Sequence, residues 1–199
     1  MRIDQREYRA LPLRAHALLH DIPLEDVWVI PLAGGGAGRS IQEVRAVFIE
    51  ATEAAPAIVK GLFRIRERIG AICGWDQPNP DWNNETCAYR LSPADRARST
   101  ALPGTPDGRL SFLYRFENEQ LSEVRNATVH AFLSLSIRQT PGGYLAYLAV
   151  YVKPVHRLTR LYMLVIAPFR RLVVYPAMIR NVERMWAERY GEVRVSGVG

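Results

Sequence analysis

The chain has 199 residues, 48% hydrophobic, 23% charged and 10% aromatic, with 14 Gly and 13 Pro. That balance excludes a disordered or fibrous chain and predicts one globular domain over residues 1–199. A chain this long buries roughly 70% of its unfolded surface, enough for a core without disulfides or a structural metal. The net charge of +6 belongs to residues 153–190, where Lys153, Arg157, Arg160, Arg170, Arg171, Arg180, Arg184 and Arg189 face only Glu183 and Glu188. Outside that segment the charges cancel, so any anionic partner is sought near the C-terminus.

Cys73 and Cys87 are too few for a disulfide framework and lack the spaced partners of a zinc site, which points to a reducing, cytoplasmic setting. Residues 1–14 carry acids and no apolar run, so no export signal is expected. Leu161 to Pro176 is broken by Arg170 and Arg171 and falls short of the ~20 apolar residues of a membrane span.

In chain order, a polar N-terminal arm (1–24) includes a short helix from Arg14 to His20. Asp26 to Leu32, rich in β-branched and aromatic residues, predicts the first strand, and Gly34 to Gly38 a loop. Ser40 and Glu43 have capping-box spacing, so a helix starts at Ile41 and carries Val44, Phe48 and Ala51 on one face. A second helix begins near Pro56, with Ile58, Leu62, Ile65, Ile69 and Ile72 stepping by three and four, and closes at Gly74. Residues 74–108, with five prolines, read as a long loop with at most short strands.

Strands follow over Arg109 to Phe116, Ala127 to Gln139 and Tyr144 to Lys153, with a shorter one at Gln120 to Val124 and a hairpin turn at Thr140 to Gly143. The strand from Tyr144 is apolar on both faces, which implies that both are covered. Residues 155–190 are helical, and the apolar phase slips near Pro176, predicting a kink around Val174 to Pro176.

Helices after a first strand, antiparallel strands and a long last helix follow the order of the α+β helix-grip fold, in which a curved antiparallel sheet wraps the C-terminal helix. Within Gly143 to Val174, Leu161-Tyr162-Met163-Leu164 and Pro168-Phe169-Arg170-Arg171 resemble the closing motif of a bacterial family of unknown function in the SRPBCC, or START-like, superfamily. Asp26-Val27-Trp28 and the strand from Ala127 to Leu135 are similar too. Arg170 stands where that family has His, and Asn126 to Ala131 replaces its Asp-x-His-Leu-Asp-Phe run. The resemblance implies a cavity for hydrophobic ligands under the last helix.

On the central strand, Ala127, Val129, Ala131, Leu133, Leu135 and Ile137 share a face, and the small alanines leave room. Opposite should lie Tyr162, Val165 and Phe169, with Tyr114, Tyr147 or Tyr151 as polar anchors; the alternative is a dry core. His130 falls on the more polar face with Ser134, read as the outer face of the sheet, and His16 and His20 read as a solvated helix face. No catalytic residue, cofactor or metal ligand is assigned. The glycine loop misses two P-loop positions, with Ala33 for Gly and Arg39 for Lys, and reads as a connector or a weak anion loop.

The expectation is therefore a protein that binds an apolar or amphipathic small molecule. The rivals are a polyketide-cyclase-like enzyme and an interaction protein, homodimeric or using Arg157, Arg160, Arg171, Arg180 and Arg184 on an anionic surface. No recognition motif points to nucleic acid.

Overall fold

The computed structural model describes residues 1–54, 61, 86–125, 129–154 and 167–191. Apart from residue 61, the second helix predicted from Pro56 lies outside them, as do residues 74–85 of the predicted loop and residues 155–166 of the predicted C-terminal helix.

Six strands form one curved antiparallel sheet, in the order β1-β6-β5-β4-β3-β2. They are β1 (Leu24–Ala33), β2 (Pro106–Asp107), β3 (Leu110–Arg115), β4 (Glu119–Arg125), β5 (Val129–Thr140) and β6 (Gly143–Pro154). Alternation of side chains along each strand sorts them onto two faces. Trp28, Ile30, Leu32, Leu135, Ile137, Tyr144, Ala146 and Leu148 face one way; Val27, Val29, Phe132, Tyr147, Ala149 and Tyr151 face the other.

Helices cover the first face. In α3 (Ile41–Glu53), Ser40 and Glu43 close the predicted capping box, and Ile41, Val44, Val47 and Ala51 turn to the sheet. The last helix contributes Tyr175, Ile179, Val182 and Trp186. This is the α+β helix-grip arrangement: a curved antiparallel sheet with a long C-terminal helix over residues 167–190 lying against it. Where a kink is predicted near Pro176, the helix makes a π-helical turn, Arg170–Val174, before its regular part, α5 (Tyr175–Tyr190).

The second face is covered as well, by the N-terminal arm. Its short helices α1 (Gln5–Arg9) and α2 (Arg14–Leu18) bring Tyr8, Ala15, Leu18, Leu19 and Ile22 onto the sheet. Beside them lie Cys87, Ala88 and Leu91, from a 3-10 turn at Cys87–Arg90. The predicted long loop is thus more structured than expected. Ser92 caps a short helix, α4 (Pro93–Arg98), through a box with Asp95, and Asp95 pairs with Arg14 at 2.7 Å.

The glycine loop is a connector latched to its neighbours. Gly35 N–H donates to Tyr190 O at 2.9 Å, Gly34 N–H to Gly142 O at 3.0 Å, and Tyr144 Oη to Gly36 O at 2.8 Å. At Gly35 the backbone has φ +98°, and a Cβ there would stand 3.0 Å from the Trp186 ring. Only glycine combines that dihedral with that approach.

Candidate functional site

A fully buried charge lies on the helix-facing side of the sheet. Asp26 sits in β1 in register with Val150 of β6, which in turn pairs with Leu133 of β5, so the three form one row across the sheet. Asp26 is 0% exposed. A carboxylate removed from water is stable only when paired. Here the partners are consecutive arginines: Arg170 Nη2 lies 2.6 Å from Asp26 Oδ2, and Arg171 Nε donates to Oδ1 at 2.7 Å.

Local geometry explains how neighbouring residues reach one carboxylate. Consecutive side chains in an α-helix diverge by about 100°. The π-helical turn Arg170–Val174 is wider, so successive residues diverge less and both long side chains swing toward β1. Arg171 also reaches Glu25 O with Nη2 at 3.4 Å. Tyr175, at the start of α5, packs against Trp28 with ring centroids 5.2 Å apart, and burial pushes its phenol well above the ordinary tyrosine range.

Beside this group lies apolar surface that is only half covered: Ala131, Leu133 and Val150 are half-buried, while Leu135 and Leu148 further along are buried. Of the residues expected to line a cavity, Ala131 and Leu133 are thus half-buried on the helix-facing side, and Val129 opens β5 opposite Pro154. Tyr162 and Val165 lie outside the described residues.

Other predicted lining residues stand elsewhere. Phe169 is 52% exposed, so it does not press into the sheet. Tyr147 and Tyr114 belong to the cluster under the N-terminal arm. For Tyr147 the reason is parity: it shares a face with Ala149 and Tyr151, while Ala146 and Leu148 take the helix side. For Tyr114 it is the register shift between Phe112 and Tyr114, after which Tyr114 pairs with Leu121 on the arm side.

Of the arginines expected to serve an anionic surface, Arg180 and Arg184, four residues apart on α5, are exposed, whereas Arg171 is not on that face. Arg171 turns inward to Asp26, Arg184 bonds Glu188 at 2.8 Å, and Arg180 is exposed. Arg157 and Arg160 lie outside the described residues.

Beneath the arm is a polar group that the sequence reading assigned to solvent. His130 is 2% exposed, not on an outer face, and its Nε2 lies 2.8 Å from Glu123 Oε2. Glu123 also accepts from Thr86 Oγ1 and, at 3.3 Å, from Cys87 N–H. Glu119 accepts from Arg14 N–H at 2.9 Å and Tyr114 Oη at 3.2 Å, and burial holds its carboxyl above the usual glutamate range. Tyr8 Oη bonds Ser134 Oγ at 3.1 Å.

His16, also expected to be solvated, bonds Tyr151 Oη at 3.1 Å, and burial lowers its pKa. Burial pushes the Tyr151 phenol up to about 12. The signal for this group was present in β5, where His130, Ser134 and Ser136 alternate with apolar residues. Polar residues on one face of a strand ordinarily mean water; here they meet the polar underside of the arm.

Among the described residues no group of His, Cys, Asp and Glu side chains could hold a metal ion, and no helix is long and apolar enough to cross a membrane. No curated protein and no solved structure matches the chain. The family model described as "Protein of unknown function (DUF2867)" matches residues 18–177, most of the chain, which therefore belongs to that family. The matched segment contains both partners of the buried ion group, Asp26 and the Arg170–Arg171 pair.

Proposed function

We propose that this member of the family binds an apolar or amphipathic small molecule on the helix-facing side of its sheet, as a cytoplasmic protein of the SRPBCC superfamily. The observation that carries the reading is the juxtaposition of half-covered Ala131, Leu133 and Val150 with the buried ion group of Asp26, Arg170 and Arg171. Small-molecule sites are mostly apolar with a few placed polar anchors. The antiparallel sheet against a C-terminal helix and the resemblance of Asp26-Val27-Trp28 and Pro168 to Arg171 support the superfamily assignment. The free, buried Cys87 suits a reducing compartment.

A cyclase-like activity would need an acid or base beside the ligand. In this row the carboxylate, Asp26, is already bonded to guanidinium groups, and the other buried carboxyls named above lie under the arm. Binding without catalysis is the simpler use of the site.

The experiment is displacement of a neutral environment-sensitive dye, N-phenyl-1-naphthylamine, with wild type and Ala131→Phe. Binding predicts dye fluorescence in wild type, its loss in A131F, and little change in stability. If the dye does not bind wild type, or if A131F costs the ~1–3 kcal/mol of an overpacked core, the surface is filled and the reading fails.

A further inference from the structure

We infer that the outer stripe of the last helix, Phe169 and Leu172 followed by Arg180 and Arg184, docks the protein on an anionic bilayer surface. The inference stands apart from the ligand-binding reading, because it concerns the side of the helix turned away from the sheet. Its basis is a helical turn of inverted polarity. Arg170 and Arg171 reach inward to Asp26 and keep only 14% and 33% of their side chains accessible. The apolar residues on either side of them face out, Phe169 52% and Leu172 76% exposed. A surface helix in water ordinarily does the reverse, with its apolar stripe inward and its charges outward.

The outward stripe continues along the helix. Steps of four from Leu172 reach Pro176, Arg180 and Arg184. Pro176 is half-buried and both arginines are exposed, whereas Tyr175, Ile179, Val182 and Trp186 are buried against the sheet. At the rise of a helix the two arginines stand about 12 and 18 Å from Leu172. Arg184 bonds Glu188 at 2.8 Å, while Arg180 has no acidic partner among the described residues. The stripe thus runs from an apolar end to a basic end, within the segment 153–190 that carries the chain's excess positive charge.

The partner must therefore accept apolar side chains at one end and supply negative charge at the other. A second copy laid antiparallel along the described stripe would bring Arg180 against its own counterpart, and like charges across an interface are costly. An anionic bilayer meets both requirements, its acyl boundary taking Phe169 and Leu172 and its head groups taking the arginines. Among the described residues no helix is long and apolar enough to cross a membrane, so the contact is with the surface.

The test is co-flotation of the full-length protein with vesicles of phosphatidylcholine alone, or of phosphatidylcholine and phosphatidylglycerol in equal amounts. Wild type should bind the phosphatidylglycerol vesicles at low salt about tenfold better than the neutral ones, and ~0.5 M sodium chloride should remove most of that difference. The double variant Phe169→Ser/Leu172→Ser should weaken binding to the anionic vesicles about tenfold. Arg180→Gln should weaken it about fivefold, and only on the anionic vesicles. All three side chains are exposed, so urea midpoints of the variants should match wild type.

Equal binding to both kinds of vesicle, or binding to neither, overturns the inference. A double variant that floats like wild type overturns it too, because another face then makes the contact. Sedimentation equilibrium showing a dimer that dissociates in the double variant would assign the stripe to a second copy instead. Should the double variant misfold, Leu172→Asn alone supplies the same comparison.

Discussion

Replacing Asp26 with alanine removes the anion that lets Arg170 and Arg171 approach β1. Breaking a buried pair by deleting one partner costs about 3–5 kcal/mol, because the remaining charge is stranded. Arg171, one-third exposed, can swing out and rehydrate, whereas Arg170, with 14% of its side chain accessible, has little room to do so. With one of the two guanidinium groups able to rehydrate, the expected loss falls near the lower end, about 3 kcal/mol. For a chain this size, a urea m-value of about 2 kcal/mol/M turns that loss into a midpoint about 1.5 M lower.

Urea unfolding followed by tryptophan fluorescence measures it, since Trp28 and Trp186 sit in the helix-facing cluster. Arg171→Gln alone, with Asp26 still held by Arg170, should cost only about 1 kcal/mol. In an R170A/R171A background the further change D26A should be neutral or stabilising, because it then deletes an unpaired buried carboxylate. A loss below about 1 kcal/mol for D26A in the native background, or the same loss in both backgrounds, would refute the claim that this ion group pins the helix to the sheet.

Three further outcomes follow from the fold. Burial raises the Glu119 carboxyl pKa, so the folded state binds that proton more tightly than the unfolded chain. Its contribution to stability therefore declines as pH rises from the ordinary glutamate range through the raised value, and urea midpoints across that window should show this slope in wild type and not in Glu119→Gln. Tyr8→Phe strands the buried Ser134 hydroxyl and should cost about 1–2 kcal/mol, most of it recovered when Ser134→Ala is added; a purely additive double variant in thermal unfolding would contradict this. Gly35→Ala forces a side chain at φ +98° into contact with Trp186 and should destabilise by about 1–2 kcal/mol, whereas Gly36→Ala, with nothing within 4 Å of its Cβ, should pay for the dihedral alone; equal losses would show that contact with Trp186 is unimportant.

The sheet was legible because its strands alternate cleanly and both faces of β6 are apolar, which fixes parity and coverage together. The start of α3 was legible because Ser40 and Glu43 form a local device that needs no tertiary partner. The cover over the second face was not. α1 and α2 are five-residue helices, too short to show a period, and their anchoring contacts join residues more than a hundred positions apart, such as Tyr8 with Ser134. The start of α4 was readable in Ser92-Pro93-Ala94-Asp95, but the prolines around it pointed to loop.

The site was half legible. Ala131 and Leu133 follow from strand parity, and Asp26 and the Arg170–Arg171 pair were singled out as motifs. Nothing in either motif announces that they meet: the π-helical turn that unites them has no sequence signature of its own. Tyr114 was misplaced by a register shift in β3, a feature of pairing and not of β3 alone.

Residues 1–3 have a practical consequence. Ile3 N–H bonds Val27 O and Val29 N–H bonds Met1 O, so the outer side of β1 is occupied by the chain's own first residues, while the family match starts only at residue 18. A truncated version designed to that boundary would strip away the shield from β1 and from the tyrosines and Glu119 below it. The bared strand would then offer unmatched amide groups to any neighbouring copy, which is a route to precipitation. Expression and crystallisation work on relatives is better served by keeping the leading segment whole.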